Sequence, residues 1–451
     1  MGTTLLLKNV RVLATMDEQR RELRDGCVFI RDNVIQAVGA LSEMPPDADE
    51  VIDMSRHVVM PGMINTHHHM FQTLTRALPG AQDSELFDWL SVLFPVWGRI
   101  TPEMARVATL TAMAELVLSG CTTSMDHAYL YVNGIRLEDS IDAAHEIGMR
   151  FHAARGAMSL GQSAGGLPPD HVVEQDESSI LRDMRRVVEA HHDASRYAML
   201  RIAIAPCSPF TVTRDLMREA ALLARSYGVG LHTHLAENWK DIAFSREKYN
   251  ATPAEYAEDL GWVGRDVWHA HCVHLDEPGI RLFAQTGTGV AHCPCSNMRL
   301  ASGIAPVRNM LDAGVNVGLG VDGSASNDSG QMLTEARTAM LLARVNGNVP
   351  GALPAREALE IATRGGAAVL GRDDIGQIAP GYAADVIAYR LDTLGLAGAQ
   401  HDPIAALVLC NPGSVDLSII NGKTVVKDGQ IQTIDVPKLI TRHNALSATL
   451  A

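Results

Sequence analysis

The sequence predicts an α/β protein, a (β/α)8 TIM barrel with a small β-sandwich formed by both chain ends. Three observations carry this expectation. From Pro61 to about Gly371, short apolar runs alternate with helical patterns, as in βα units around a parallel sheet. On either side of that stretch, β-branched runs are cut by Asn, Asp and Gly turn signals. The 451 residues exceed one small domain but suit a large barrel with an appendage. The alternation by itself also admits an open doubly wound sheet.

Residues 1–60 read as the first part of the sandwich. LLLKNVRVLA, CVFIRDNVIQAVG and HVVMPG are short strand patterns. Residues 61–371 read as the barrel. TPEMARVATLTAMAELVLSG is a helix, GCTTSMDH follows as strand and loop, and RDLMREAALLARSYG is a helix leading into VGLHTH. Met158–Asp170 (MSLGQSAGGLPPD) is rich in Gly and Pro and reads as a long loop, the kind that serves as a lid or binding loop. Residues 372–451 close the sandwich and add a tail. ADVIAYRL and VDLSIINGKTVVKDGQIQ are strands again, with Asn421-Gly422 as a hairpin signal.

Composition excludes several classes. Hydrophobic residues make up 47%, enough for a sizeable core. A net charge of -14 argues against nucleic-acid partners and against an anionic membrane surface. No run of about 18 apolar residues suggests a membrane span. The N-terminal stretch lacks the basic start and apolar stretch of a signal peptide. Seven cysteines, few for the length and odd in number, point to a reducing compartment and a cytoplasmic protein. Cys293-Pro-Cys295 has no partner pair and reads as a loop segment, not a zinc knuckle. A homo-oligomer is compatible with all of this.

Four strand-end motifs carry chemistry. In Asn65-Thr66-His67-His68-His69, alternation along a strand places His67 and His69 on one face and His68 on the other. Two imidazoles about 7 Å apart on one face can chelate one ion. In LHTHLAE, the same alternation pairs His232 with His234. His234, nearer the strand end, is the ligand candidate, and His232 packs or hydrogen-bonds one layer deeper. Glu237, just past that strand, can shuttle protons. In VWHAHC, His271 is the catalytic candidate, while His269 takes a structural role, as does His274. In VGLGVDGS, Asp322 ends an apolar strand, as a helix N-cap or as a metal ligand. In a βα barrel, functional residues gather at the C-terminal strand ends. His67, His69, His234 and Asp322 would meet there, which favours the ligand reading. Three imidazoles and one carboxylate suit zinc better than calcium or magnesium. Iron and manganese compete for the same donors, because affinity alone does not select the metal.

Over nearly its whole length the chain resembles the amidohydrolase superfamily. PGMINTHHH is similar to its first-strand metal motif. HTHLAE, HAHCV, HCPCSN and GLGVDGSASND are similar to later motifs of one branch, that of guanine, cytosine and adenosylhomocysteine deaminases and s-triazine hydrolases. The resemblance implies the barrel with its sandwich, metal ligation by His67, His69, His234 and Asp322, and catalysis by Glu237, His271 and Asp322. Two-metal members bridge their ions with a carboxylated mid-barrel lysine. The only lysines between Pro61 and Gly371 are Lys240 and Lys248, both beyond the fifth-strand motif, so one ion per chain is implied.

Within the branch, HHHMFQTLTRALPGAQDSELFDWL, GQSAGGLPPD, SREKYNATPAEYAEDLGWVG and HCPCSNMRLASGIAP most resemble the 8-oxoguanine deaminase family. That likeness implies a small heterocyclic base as substrate, with Gln72, Glu237 and His271 in contact with it. It implies hydrolysis at C2, giving urate and ammonia. Asp322 would take the proton of the attacking water, His271 would hold that water, and Glu237 would protonate the ring nitrogen. Sibling specificities share this chemistry: guanine, adenosylhomocysteine or an s-triazine that loses amine or chloride. A non-catalytic scaffold on the same fold would be expected to have lost these ligands, and all are present.

Overall fold

The computed structural model describes residues 2–450. Its centre is a closed, all-parallel barrel, which removes the open-sheet alternative. The eight strands run in chain order: β1 Met63–Asn65, β2 Cys121–Ala128, β3 Arg150–Ala157, β4 Leu200–Pro206, β5 Gly230–Leu235, β6 Val267–His271, β7 Gly289–His292 and β8 Asn316–Leu319. Closure is made where β8 meets β1, Leu319 opposite Asn65.

Helices cover the barrel because each carries its own start signal. The helix Pro102–Leu118 has Pro at its first position, and Thr101 Oγ1 accepts the Met104 N–H. The helix Arg214–Tyr227 starts at Thr213 and stops at Gly228 in the left-handed conformation. Both lie within two residues of the sequence pattern.

The chain ends form two further sheets. One has Thr4–Val10 at its centre, between Gly26–Arg31 and Glu50–Asp53. In the other, His57–Pro61 pairs antiparallel with Val386–Arg390 from the far end of the chain. Leu7, Val28 and Ile30 of the first sheet share a core with Val59, Val386 and Ile419 of the second, so the two pack face to face. The hairpin turn Asn421-Gly422 has φ of 50° and 78°, the left-handed pair that a two-residue turn requires. Arg150 at the start of β3 ties barrel to sandwich through two bonds to Asp385, at 2.9 and 3.0 Å, both side chains buried.

Three local expectations need correction. Cys293-Pro-Cys295 is not a plain loop: Pro294 opens the short helix α1, Pro294–Arg299, because its missing N–H costs nothing there. β1 ends at Asn65, so His67 and His69 lie beyond the strand in the connecting loop. Asp322 caps no helix, since the next one begins at Met332. Among the described residues no helix is long and apolar enough to cross a membrane.

Candidate active site

The named side chains meet at the C-terminal mouth of the barrel. His69, His234, Glu237, His271 and Asp322 line one pocket, and His67 lies fully buried 3.2 Å from Asp322. The turns that deliver them are strained. Ala236, His271 and Asp322 have φ of 52°, 70° and 61°, a region that non-glycine residues seldom adopt.

Tautomers follow from the hydrogen bonds at the outer ring nitrogens. His232 Nδ1–H donates to the Trp268 carbonyl at 2.9 Å, so its Nε2 is an acceptor. His67 Nδ1–H therefore donates to His232 Nε2, at 2.8 Å. His69 Nδ1–H donates to the His127 carbonyl at 2.9 Å, and His234 Nδ1–H to that of Cys207 at 2.6 Å. Burial lowers the pKa of all three rings, that of His234 to about 3, so they are neutral.

All three inner nitrogens are then bare lone pairs, and they point at one another. His69 Nε2 is 3.0 Å from His234 Nε2. Asp322 Oδ1 is 3.2 Å from His67 Nε2 and 3.4 Å from His69 Nε2. His67 Nε2 is buried with no hydrogen-bond partner. Four acceptors converge with no proton among them. A cation resolves this, and the donor set of imidazole and carboxylate fits zinc. The outer bonds supply the oriented support that such ligands need.

Asp322 is held from behind: its Oδ2 accepts Ser296 Oγ–H at 2.5 Å and Ser326 Oγ–H at 2.9 Å. Next in α1, Asn297 Oδ1 accepts His271 Nδ1–H at 2.9 Å and turns Nε2 toward the pocket. That Nε2 lies 3.6 Å from Glu237 and 3.9 Å from Asp322. Burial pushes Glu237 up to about 7. Burial opposes the charge on His271, but the two carboxylates outweigh it and raise its pKa.

His127 joins the cluster although the motifs did not single it out. Its ligand atom lies within 4.8 Å of those of His67, His69 and His234. Its ring stacks on His234 at 4.9 Å and its Nε2–H donates to the Ala205 carbonyl at 2.7 Å. The sign was in GCTTSMDH, a strand pattern ending on an imidazole.

His68 turns away, its Nδ1 accepting the His69 N–H at 2.8 Å. His269 donates to Trp262 and stacks on Phe283, and His274 contacts the Ser302 carbonyl.

The rest of the pocket is neutral. Leu86, Trp89, Leu90 and Phe94 form one wall, from a helix spanning Leu86–Trp97. Tyr129, Phe210 and Leu300 add apolar surface, and among the described residues no lysine or arginine lines it. Gln72 sits in the turn Met70–Thr75, its Nε2 3.3 Å from Tyr129 Oη and its Oε1 3.4 Å from the Ala325 N–H. The helix Val436–Ser447 fixes that turn from outside, through His443 to Thr73 at 3.1 Å and Ser447 to Leu74 at 2.7 Å. Met158–Asp170 contributes nothing to the lining. Ser159 and Leu160 instead bond through their N–H groups to the carbonyl of Thr211.

A sequence profile described as Amidohydrolase family matches residues 58–425. The chain is 44% identical over 429 residues to 8-oxoguanine deaminase of Pseudomonas aeruginosa, covering 94% of each. It is 36% identical over 434 residues to isoxanthopterin deaminase from an unknown prokaryotic organism, covering 91% of this chain and 89% of that one. An atrazine chlorohydrolase from Arthrobacter aurescens TC1, solved in complex with zinc, superposes with a TM-score of 0.93 at 33% identity, covering 98% of this chain and 100% of that one.

Proposed function

We propose, from the premise that this chain belongs to the amidohydrolase family, that it deaminates 8-oxoguanine hydrolytically to urate and ammonia at a single zinc ion. The observation that carries the metal reading is the convergence of four proton-free acceptors: Nε2 of His67, His69 and His234 with Asp322 Oδ1. We assign Asp322 and not His127 as fourth ligand. His127 presents its ring face to His234, whereas Asp322 brings the negative charge that a dication requires. The absence of lysine between Pro61 and Lys240 supports a single ion, because the carboxylated lysine of two-metal members has no counterpart there.

When bound, the ion supplies Lewis-acid activation of a water near neutral pH. The protein does the rest. Asp322 accepts the proton of the attacking water. His271, fixed by Asn297, orients that water between the two carboxylates. Glu237 delivers a proton to the ring nitrogen beside C2. Asp322 passes the proton it took to the exocyclic amine, the C2–N bond breaks and ammonia departs, and the C2 hydroxyl returns its proton to Glu237 as C2 becomes a carbonyl.

The substrate reading rests on the 44% identical deaminase and on the pocket. Its aromatic and aliphatic walls suit a flat base, and Gln72 can offer both a donor and an acceptor to a neutral purine edge. An amino-acid tail, as in adenosylhomocysteine, would find no cationic partner. The likeness to the triazine hydrolase supports a second reading, displacement on a triazine ring. Ammonia release from 8-oxoguanine, guanine, isocytosine and adenosylhomocysteine, beside amine release from hydroxyatrazine, decides. 8-Oxoguanine should show the highest kcat/KM, and better turnover of any other panel member would refute this substrate.

Two variants probe the walls. Gln72→Ala should cost about 1–3 kcal/mol in kcat/KM, because polar groups on the base are left unpaired. The loss should shrink for a base that lacks the contacted group, and an equal loss on all bases would make Gln72 a packing residue. Asn297→Ala removes the acceptor that sets the His271 tautomer. It should lower kcat about 10-fold or more at unchanged metal content. Unchanged kcat would show that the ring orients itself without Asn297.

A further inference from the structure

At the opposite end of the barrel, where strands β3 to β6 begin, lies a cavity of about 420 Å³. His152 of β3, Arg201 of β4, Gly230 of β5 and Trp268 of β6 line it, with His192 and Arg265 from the preceding segments. It is separate from the site above. Trp268 stacks on His232 at 4.9 Å, and His232 in turn supports His67, so one packed layer divides the two.

The lining is rich in donors and short of free acceptors. Among the described residues, Arg201 Nε is buried without a partner, and the side chain makes one hydrogen bond, a long one of 3.4 Å from Nη1 to the Gly371 carbonyl. Burial and the nearby Arg372 disfavour its charge and outweigh Asp374, Asp193 and Asp373, which favour it. Arg265 is exposed and has no ion pair among the described residues.

Three carboxylates, one of them Asp266 of the lining, are paired with other arginines. Asp374 binds Arg372 at 2.7 Å, Asp373 binds Arg196 at 3.4 Å and Asp266 binds Arg225 at 3.0 Å. Asp193 accepts the Ser195 N–H at 2.8 Å and keeps its charge, which favours that of Arg201.

The two histidines add neutral donors. Burial lowers the pKa of both rings. His192 Nδ1 accepts the Ile202 N–H at 3.1 Å, which places its proton on Nε2. Arg372 Nη1 approaches His152 Nε2 at 3.5 Å, which places that proton on Nδ1. In a chain of net charge -14, this cavity is lined by two guanidinium groups without an ion pair among the described residues and two imidazole N–H groups, against one lining carboxylate, Asp266, that is paired with Arg225.

We propose that this cavity is a second ligand site that takes a phosphate group, free or on a small metabolite. Arg201 and Arg265 would grip the oxyanion, with His152 and His192 adding hydrogen bonds. The planar guanidinium matches phosphate geometry, and its charge-assisted bonds are stronger where solvent is partly excluded.

Calorimetric titration of the metal-loaded protein, at fixed ionic strength, tests the proposal. The probes are inorganic phosphate, ribose 5-phosphate and, as a neutral control, ribose. Saturable binding of at least one phosphate probe at one site per chain is expected, with none for ribose. Arg201→Met should weaken binding about 10-fold or more, with turnover in phosphate-free buffer unchanged. Arg265→Met changes an exposed side chain, should fold regardless and should also weaken binding. Tighter binding of ribose 5-phosphate would identify an organic phosphate as the ligand, and equal or tighter binding of inorganic phosphate would identify the free ion. No saturable binding overturns the proposal. So does equal affinity in wild type and both variants, which would put the anion elsewhere, at the metal centre for example. Should Arg201→Met fail to fold, Arg265→Met alone decides.

Discussion

His234→Ala and Asp322→Asn proteins should each be isolated without stoichiometric metal and should lose turnover by at least about 10³-fold, the several kcal/mol that a Lewis acid contributes. Wild type should hold about one equivalent, as a single site requires. The expectation follows from tautomers. The outer nitrogens of His67, His69 and His234 are all used as donors, which forces their inner nitrogens to be lone pairs: those of His67 and His69 face Asp322 Oδ1, and that of His234 faces His69 Nε2. Without a cation these acceptors repel one another, with His69 Nε2 and His234 Nε2 only 3.0 Å apart. Asn at 322 keeps the shape and removes the charge, so it separates electrostatics from packing. Elemental analysis beside ammonia release on the best panel substrate reads both quantities. A variant that keeps a full equivalent of metal would remove its residue from the ligand set. Two equivalents in wild type would overturn the single-ion reading.

Much of this arrangement was legible in the chain. The βα alternation gave the barrel, and the strand runs at both ends gave the paired sheets, because burial patterns repeat along the sequence. His234 and His271 lie on strands whose pattern placed them near the mouth. His67, His69 and Asp322 were found for a partly mistaken reason. They lie beyond the ends of β1 and β8, and loop geometry with a left-handed Asp322, not strand alternation, turns them inward. Side chains that act through others were hidden. Ser296 and Asn297 stand in the quoted HCPCSN, but only the fold shows one bonded to Asp322 and the other to His271. The pocket wall Leu86–Phe94 reads in sequence as an ordinary apolar helix face, since nothing local marks which face meets a ligand. The Gly/Pro-rich segment Met158–Asp170 misled in the other direction. Its composition announced a loop, and composition says nothing about where a loop packs.

Glu237→Gln and His271→Asn should do the converse of the ligand variants: retain the metal and lose at least about 10² in kcat. Among the described residues, Glu237 belongs to no cluster of candidate ligand atoms. The ligand atom of His271 lies within 4.8 Å of those of His67 and Cys293, but its Nε2 stands 3.9 Å from Asp322, farther than those of His67 and His69. Both are placed to move protons. Burial lifts Glu237 to about 7, so near neutral pH it can both take and give a proton, the condition for a shuttle. His271 has its Nδ1–H fixed by Asn297 and is drawn toward the protonated state by the carboxylates on either side. Gln at 237 keeps the size of the side chain and leaves the main-chain bond from its N–H to Asp241, at 2.9 Å, undisturbed. A loss of rate can then be assigned to the missing proton and not to a displaced loop. Measuring metal content and kcat on the same preparations, with the best panel substrate, separates this prediction from the identity of the base. Metal lost together with activity in either variant would make that residue a ligand, and full turnover in Glu237→Gln would take the proton path away from Glu237.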